Sequence, residues 1–228
     1  MNDASRLLDA ALFAAQRHKD QRRKDAEGSP YINHPLAVAR LLSVEGGISD
    51  NEVLMAALLH DTIEDTKTTA KELHALFGER VTGIVLEVTD DKSLPKARRK
   101  ELQIEHAGLK STEAALVKIA DKICNLRDVA ANPPANWSND RRREYFEWAE
   151  KVVAGLPTLD LKLRQLFTSA YALMPVAWHG ATNCTYVTVD GMSHVTFRDH
   201  ESEKLKKFVD IQRANGATIT TERGVWID

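Results

Sequence analysis

The chain has 228 residues, 43% hydrophobic and 28% charged, which suits a globular protein of one full domain plus a small appendage. With 31 Lys and Arg against 33 Asp and Glu, its formal charge of −2 gives no bulk attraction to nucleic acid or to a membrane surface. No segment has the apolar length to span a bilayer, the first residues lack a signal peptide's apolar core, and Cys124 and Cys184 are too few for a disulfide framework. A soluble cytoplasmic protein is expected.

Residues from Ser5 to His18 carry Leu8, Ala11, Leu12 and Ala15 at helical spacing, and a first amphipathic helix is predicted there. A polar, basic loop with Lys19, Arg22, Arg23 and Lys24 follows, closed by Gly28-Ser29-Pro30. In Tyr31-Ile32-Asn33-His34-Pro35, the proline suits the first turn of a second helix, with His34 held just before it. That helix, Leu36 to Val44, ends at Gly46-Gly47, which suit a left-handed C-terminal cap. Asp50 or Ser49 can cap the next helix, whose run Leu54-Met55-Ala56-Ala57-Leu58-Leu59 is apolar around most of its circumference, as in a helix buried in a core. The run stops abruptly at His60-Asp61-Thr62-Ile63-Glu64-Asp65-Thr66. If the helix continues, a spacing of four sets Glu64 over His60 and Asp65 over Asp61.

Thr68 or Thr69 opens a helix through Leu73, Leu76 and Phe77 that stops at Gly78, and another runs from Glu79 to Val88. After the turn Asp90 to Pro95 comes a charged helix with Lys96, Arg98, Arg99 and Lys100. Ser111 or Thr112 opens a long helix holding Lys118-Ile119-Ala120-Asp121-Lys122-Ile123-Cys124-Asn125-Leu126-Arg127-Asp128, ended by Asn132-Pro133-Pro134. Ser138 caps a helix from Asn139 to Val153, rich in Arg141, Arg142, Arg143, Tyr145, Phe146 and Trp148; a last helix runs from Thr158 to Leu173. Composition then changes. Thr185 to Val189 and His194 to Phe197 flank Asp190-Gly191, a hairpin signal, Glu201 to Ala214 reads as a helix, and Ala217 to Thr221 as a third strand. The expected fold is mainly α: a helical bundle over residues 1–173 and a small α+β extension, hairpin–helix–strand, over 174–228. Such a short extension buries little core alone and is expected to dock on the bundle or on a second subunit.

Four residues carry chemistry: His34, the His60-Asp61 pair and Asp121. They lie on different helical segments, as ligands converging inside a bundle do. Asp121 interrupts the apolar stretch Leu116-Val117-Lys118-Ile119-Ala120, where an unpaired carboxylate is expensive. Two imidazoles and two carboxylates suit Mn²⁺, Fe²⁺ or Zn²⁺ better than Ca²⁺ or Mg²⁺. Spacing alone leaves open a surface His34 and an Asp121 that caps a neighbouring helix. Basic clusters at Arg22 to Lys24, Lys96 to Lys100 and Arg141 to Arg143 are ordinary solvated faces in most proteins, yet arginines beside a metal cage fit phosphate esters.

Arg22-Arg23-Lys24-Asp25, Tyr31-Ile32-Asn33-His34-Pro35, Leu58 to Thr66 and Lys118 to Asp128 stand in an order and spacing that resembles the HD-type hydrolase domain of the RelA/SpoT family. With Trp137-Ser138 and Glu144-Tyr145-Phe146-Glu147-Trp148-Ala149, the resemblance narrows to the small stand-alone alarmone hydrolases, including metazoan SpoT homologues, and covers about Leu7 to Leu173. It implies an HD-domain bundle that removes the 3′-pyrophosphate of ppGpp or pppGpp, one Mn²⁺ per chain, and metal ligands His34, His60, Asp61 and Asp121. Glu64 and Asp65 match the family's acidic pair, which orients and activates the attacking water. Arg23 and Lys24 match residues that cradle the guanine and sugar, Asn125 one near the nucleotide, and Lys96, Arg141 and Tyr145 the phosphate-facing side. No nucleic-acid or membrane partner is expected, and a homo-oligomer is possible. Rival readings are a phosphatase for the 2′-phosphate of NADPH and a non-catalytic nucleotide sensor acting through the extension.

Overall fold

The computed structural model describes residues 2–157, 161–175, 182–189, 193–198, 202–214 and 216–226. The chain divides into two compact units, Met1–Pro175 and Val176–Asp228.

The first unit is helical. It contains α1 (Asp3–Arg17), α2 (Asn33–Arg40), α3 (Asn51–Leu59), α4 (Thr62–Asp65), α5 (Ala70–Phe77), α6 (Glu79–Val88), α7 (Lys96–Glu105), α8 (Thr112–Ala131), α9 (Asn139–Gly155) and α10 (Leu161–Tyr171). Helix α3 is the hub, packed against α1, α2, α6 and α8, while α8 also carries α9 and α10. Every residue from Val53 to Leu59 is buried, so the apolar circumference read in the sequence is used on all sides. Each buried Leu or Met contributes about 1.5–3 kcal/mol relative to exposure.

Side-chain caps start these helices where the sequence places them. Asp50 accepts from the Glu52 and Val53 amides, Thr69 from Glu72, Ser111 from Ala114 and Ser138 from Arg141. Helix α2 begins two residues before Pro35, so His34 sits inside its first turn, and a π-helical turn, Leu41–Glu45, prolongs it. The two glycines that follow do different work. Gly47 adopts a left-handed φ of 75°, whereas a Cβ on Gly46 would lie 2.7 Å from the Leu42 carbonyl oxygen.

The sequence allows one continuous helix from Asp50 through Asp65; the structure breaks it at His60-Asp61. The cause is local. The His60 Nδ1–H takes the Ala57 carbonyl at 2.8 Å and the Thr62 hydroxyl takes that of Leu59 at 2.6 Å. Side chains thus occupy two carbonyls that a continuing helix would give to backbone amides, and the ladder bends. Helix α4 restarts with the Asp65 amide donating to the Asp61 carbonyl at 2.9 Å.

The second unit holds β1 (Thr182–Val189), β2 (Ser193–Arg198), α11 (Ser202–Ala214) and β3 (Ile219–Trp226). Its antiparallel sheet has the order β2-β1-β3, with Val187 opposite Val195 on one side and Thr221 on the other. Val187 is buried, and Phe197 meets Phe208 of α11 with ring centroids 5.5 Å apart. Strand β3 starts two residues later than the sequence pattern suggests and runs five further. The expected turn at Asp190-Gly191 lies outside the described residues. No helix among the described residues is long and apolar enough to cross a membrane.

Candidate metal centre

The bend after α3 sets the chemistry. Because the Ala57 carbonyl can only accept, the proton of neutral His60 sits on Nδ1 and Nε2 carries the lone pair. In the neutral ring that buried Nε2 has no hydrogen-bond partner among the described residues, and it lies 3.0 Å from Asp61 Oδ2 and 3.9 Å from Asp121 Oδ1. His34, buried on α2, places its Nε2 3.1 Å from Asp121 Oδ1 and 4.0 Å from Asp61 Oδ2. One ligand atom each from His34, His60 and Asp121 falls within 4.8 Å of the others. Donors held about 2.0–2.3 Å from one ion lie roughly 3–4.5 Å from one another, so these residues fit a metal ion.

The electrostatics say the same. Burial pulls the pKa of His60 down, but the carboxylates of Asp61 and Asp121 outweigh it and raise it to about 9. Burial would raise Asp61 and Asp121; the neighbouring imidazoles and, for Asp121, the Lys122 ammonium instead hold both below the usual carboxylate range. Carboxylates held ionised beside a buried imidazole that readily takes up a proton make a place where a metal cation can replace that proton. Further partners fix these acids. The Tyr31 hydroxyl donates to Asp61 Oδ2 at 2.5 Å, and Asp121 receives the Asn125 amide at 2.5 Å and the Lys122 ammonium at 3.2 Å.

Glu64 lines the same small cavity of about 150 Å³ as His34, His60, Asp61 and Asp121. It accepts the Asp90 backbone N–H at 3.1 Å, and Arg99 and Lys92 stand 3.6 and 3.8 Å away. Burial raises its pKa; the Asp90 amide opposes, and the charges of Asp90, Asp61 and Asp65 add to the rise. Asp65 belongs to the neighbouring, larger cleft, where Gln21 donates to Oδ2 at 2.9 Å and Lys92 pairs with Oδ1.

That cleft, of about 840 Å³, gathers Arg23, Lys24, Lys96, Asn125, Arg141 and Tyr145 on its walls. The three basic clusters of the sequence therefore converge. Burial lowers the pKa of Lys96, and repulsion from Arg141, Lys24 and Arg99 lowers it further, the signature of a concentrated positive potential. Aromatic faces steer these cations: Arg141 lies 4.8 Å from the Trp137 ring centre, and Lys100 and Lys122 lie 4.6 and 4.3 Å from that of Trp148. Arg23 reaches Asn125 at 3.3 Å and Asp128 at 2.5 Å, which joins the cleft wall to Asp121 through Asn125. Other members of the clusters stay outside. Arg98 pairs with Glu101 and Glu105, and Arg143 faces Glu147.

Several residues around the site were not singled out from the sequence: Gln21, Tyr31, Lys118, Lys122 and Trp148. For two of them a signal existed. Lys118, Asp121, Lys122 and Asn125 follow an i, i+3, i+4, i+7 pattern, a polar stripe on an otherwise buried helix.

The profile of the HD domain matches residues 10–148. The chain belongs to the HD-domain family. Within it, a Xenopus tropicalis protein named guanosine-3′,5′-bis(diphosphate) 3′-pyrophosphohydrolase MESH1 is 61% identical over 155 residues, covering 68% of this chain and 87% of that protein. The Homo sapiens protein of the same name is 56% identical over 164 residues, covering 72% and 92%. The solved structure of a metazoan ortholog of SpoT that hydrolyzes ppGpp superposes with a TM-score of 0.71 at 47% identity, over 73% of this chain and 93% of that one. The matched residues 10–148 span the candidate site described above, from Gln21 to Trp148.

Proposed function

We propose that this chain is a metal-dependent guanosine-3′,5′-bis(diphosphate) 3′-pyrophosphohydrolase, which cleaves (p)ppGpp to GDP or GTP and pyrophosphate. The observation that supports this best is the buried trio His34, His60 and Asp121, with one ligand atom each within 4.8 Å, and the half-buried Asp61 3.0 Å from His60, beside a cleft walled by Arg23, Lys24, Lys96 and Arg141. The relatives that match over most of their length carry that activity in their names.

In this reading His34, His60, Asp61 and Asp121 hold one ion, with Mn²⁺ the best fit to a set of two nitrogens and two carboxylates. Bound there, the ion supplies Lewis-acid chemistry, polarising a phosphoryl oxygen and making water more acidic. Glu64, with its raised pKa, is suited to take a proton from the attacking water near neutral pH. Asp65, on the wall of the larger cleft, orients that water toward the 3′-phosphorus. Arg23 and Lys24, with Asn125 and Tyr31, border the part of the cleft suited to a purine and its sugar, while Lys96, Arg141 and Tyr145 face the phosphates. Arginine's planar fork suits bidentate phosphate contacts.

The decisive assay offers ppGpp and NADPH side by side to Mn²⁺-loaded protein, with products resolved by ion exchange. Release of GDP and pyrophosphate, lost in EDTA and restored by Mn²⁺, is the expected result. Brisk release of phosphate from NADPH with ppGpp untouched would keep the mechanism and overturn the substrate.

A further inference from the structure

Gln21 stands just past the end of α1, fixed on both sides by its own backbone. Its N–H donates to the His18 carbonyl at 2.9 Å and its carbonyl accepts the Tyr31 N–H at 3.1 Å. Its side chain then bridges two groups: Nε2 donates to Asp65 Oδ2 at 2.9 Å, and Oε1 meets His18 Nδ1 at 2.7 Å. The sense of the amide follows from chemistry. An ionised carboxylate only accepts, so the NH₂ faces Asp65, the oxygen faces His18, and the His18 nitrogen is the donor. His18 is itself buried against the Tyr31 ring, 4.8 Å between centroids. The amide therefore has one orientation, held from the side away from the cleft.

The other partner of Asp65 is Lys92, whose side chain is about half exposed. A flexible exposed ammonium supplies charge but little direction. Glu64, by contrast, is directed by the Asp90 backbone amide. Gln21 gives Asp65 what that amide gives Glu64, a neutral donor on a fixed frame.

We propose that Gln21, with His18 behind it, is a positioning residue for the hydrolysis, acting only through Asp65. This rests on the reading of Asp65 as a water-orienting carboxylate. The test is a double-mutant cycle in the full-length, Mn²⁺-loaded chain with ppGpp: Gln21→Met, Asp65→Asn and the pair together. Gln21→Met is expected to lower kcat by on the order of ten- to a hundredfold, the loss that follows from misplacing a catalytic group by about 1 Å. KM should stay within about threefold and metal content should be unchanged. In the Asp65→Asn background the same change should have no further effect, because the group it positions is already disabled. Gln21→Glu keeps the size and solubility of the side chain if Gln21→Met folds poorly. Ionised, it cannot donate to Asp65 and should lose at least as much rate.

Parent-level kcat in either folded Gln21 variant would overturn the inference, as would losses that multiply in the double variant. Either result leaves the role of Asp65 standing. Parent-level turnover by Asp65→Asn alone would overturn both.

Discussion

Asp121→Ala tests the centre most directly, because it removes a ligand and strands a neighbour. Lys122 is 3% exposed, with its ammonium 3.2 Å from Asp121 Oδ2. Burial lowers its pKa, yet the net shift is upward, chiefly because of Asp121. Deleting the carboxylate leaves a buried charge without its counter-ion, which costs about 3–5 kcal/mol in comparable pairs. The Trp148 ring, 4.3 Å from the ammonium, faces it with or without Asp121 and so cancels from this difference. A loss of about 3–5 kcal/mol is expected for metal-free protein; with a urea m-value of about 2 kcal/mol/M, the midpoint falls by about 1.5–2.5 M. The double variant Asp121→Ala, Lys122→Met removes the stranded charge as well, and should recover most of the midpoint while binding no metal and hydrolysing no ppGpp. Urea titrations in EDTA, with metal content measured after Mn²⁺ reloading, separate the two effects. A midpoint within about 0.3 M of the parent for Asp121→Ala would refute the charge argument, and full metal content in either variant would refute the ligand role.

Glu64→Gln with Asp65→Asn should still bind Mn²⁺ and ppGpp but lose on the order of a hundred- to ten-thousand-fold in kcat, as removal of a general base does; stopped assays and equilibrium binding check both. Because the pKa of Glu64 is raised, the base is protonated and activity falls below a pH higher than that of an ordinary carboxylate, and a pH–kcat profile of Glu64→Gln should lack that limb. Burial, with repulsion from Lys122, holds Lys118 down to about 8 from 10.5. The unfolded chain therefore binds this proton more tightly than the folded one, and the deficit is complete below about pH 8 and gone above 10.5. The stability gap in favour of Lys118→Met should shrink by a few kcal/mol across that window, as denaturation at pH 7.5 and 10.5 would register. Truncation after Leu173 should leave turnover within about tenfold of the full chain, roughly 1.4 kcal/mol in barrier; a folded truncation without turnover would put residues of the extension in the chemistry.

The sequence by itself determined most of the helices and the starts of four of them. Asp50, Thr69, Ser111 and Ser138 satisfy the first amides from their own neighbourhood, and such short-range bonds need no tertiary partner. It also marked α3 as the buried hub, because an all-apolar circumference has only one stable environment. Among the four proposed ligands, Asp121 stood out for a related reason, since a carboxylate within an apolar stretch is costly without a partner; spacing alone left His34 open to a surface reading, and the resemblance singled out the set.

What the fold alone decided lies at longer range, with one local exception. The bend at His60-Asp61 depends on which of two donors wins a carbonyl, and hydropathy does not record that competition. The meeting of Arg23, Lys96 and Arg141 joins residues more than forty positions apart through the packing of α7, α8 and α9. The different settings of Glu64 and Asp65, adjacent in sequence, follow from the Asp90 amide on one side and the Gln21 side chain on the other. Those partners come from a loop twenty-six residues downstream and one forty-four residues upstream. A hydrogen bond across such distances exists only once the chain has closed around it.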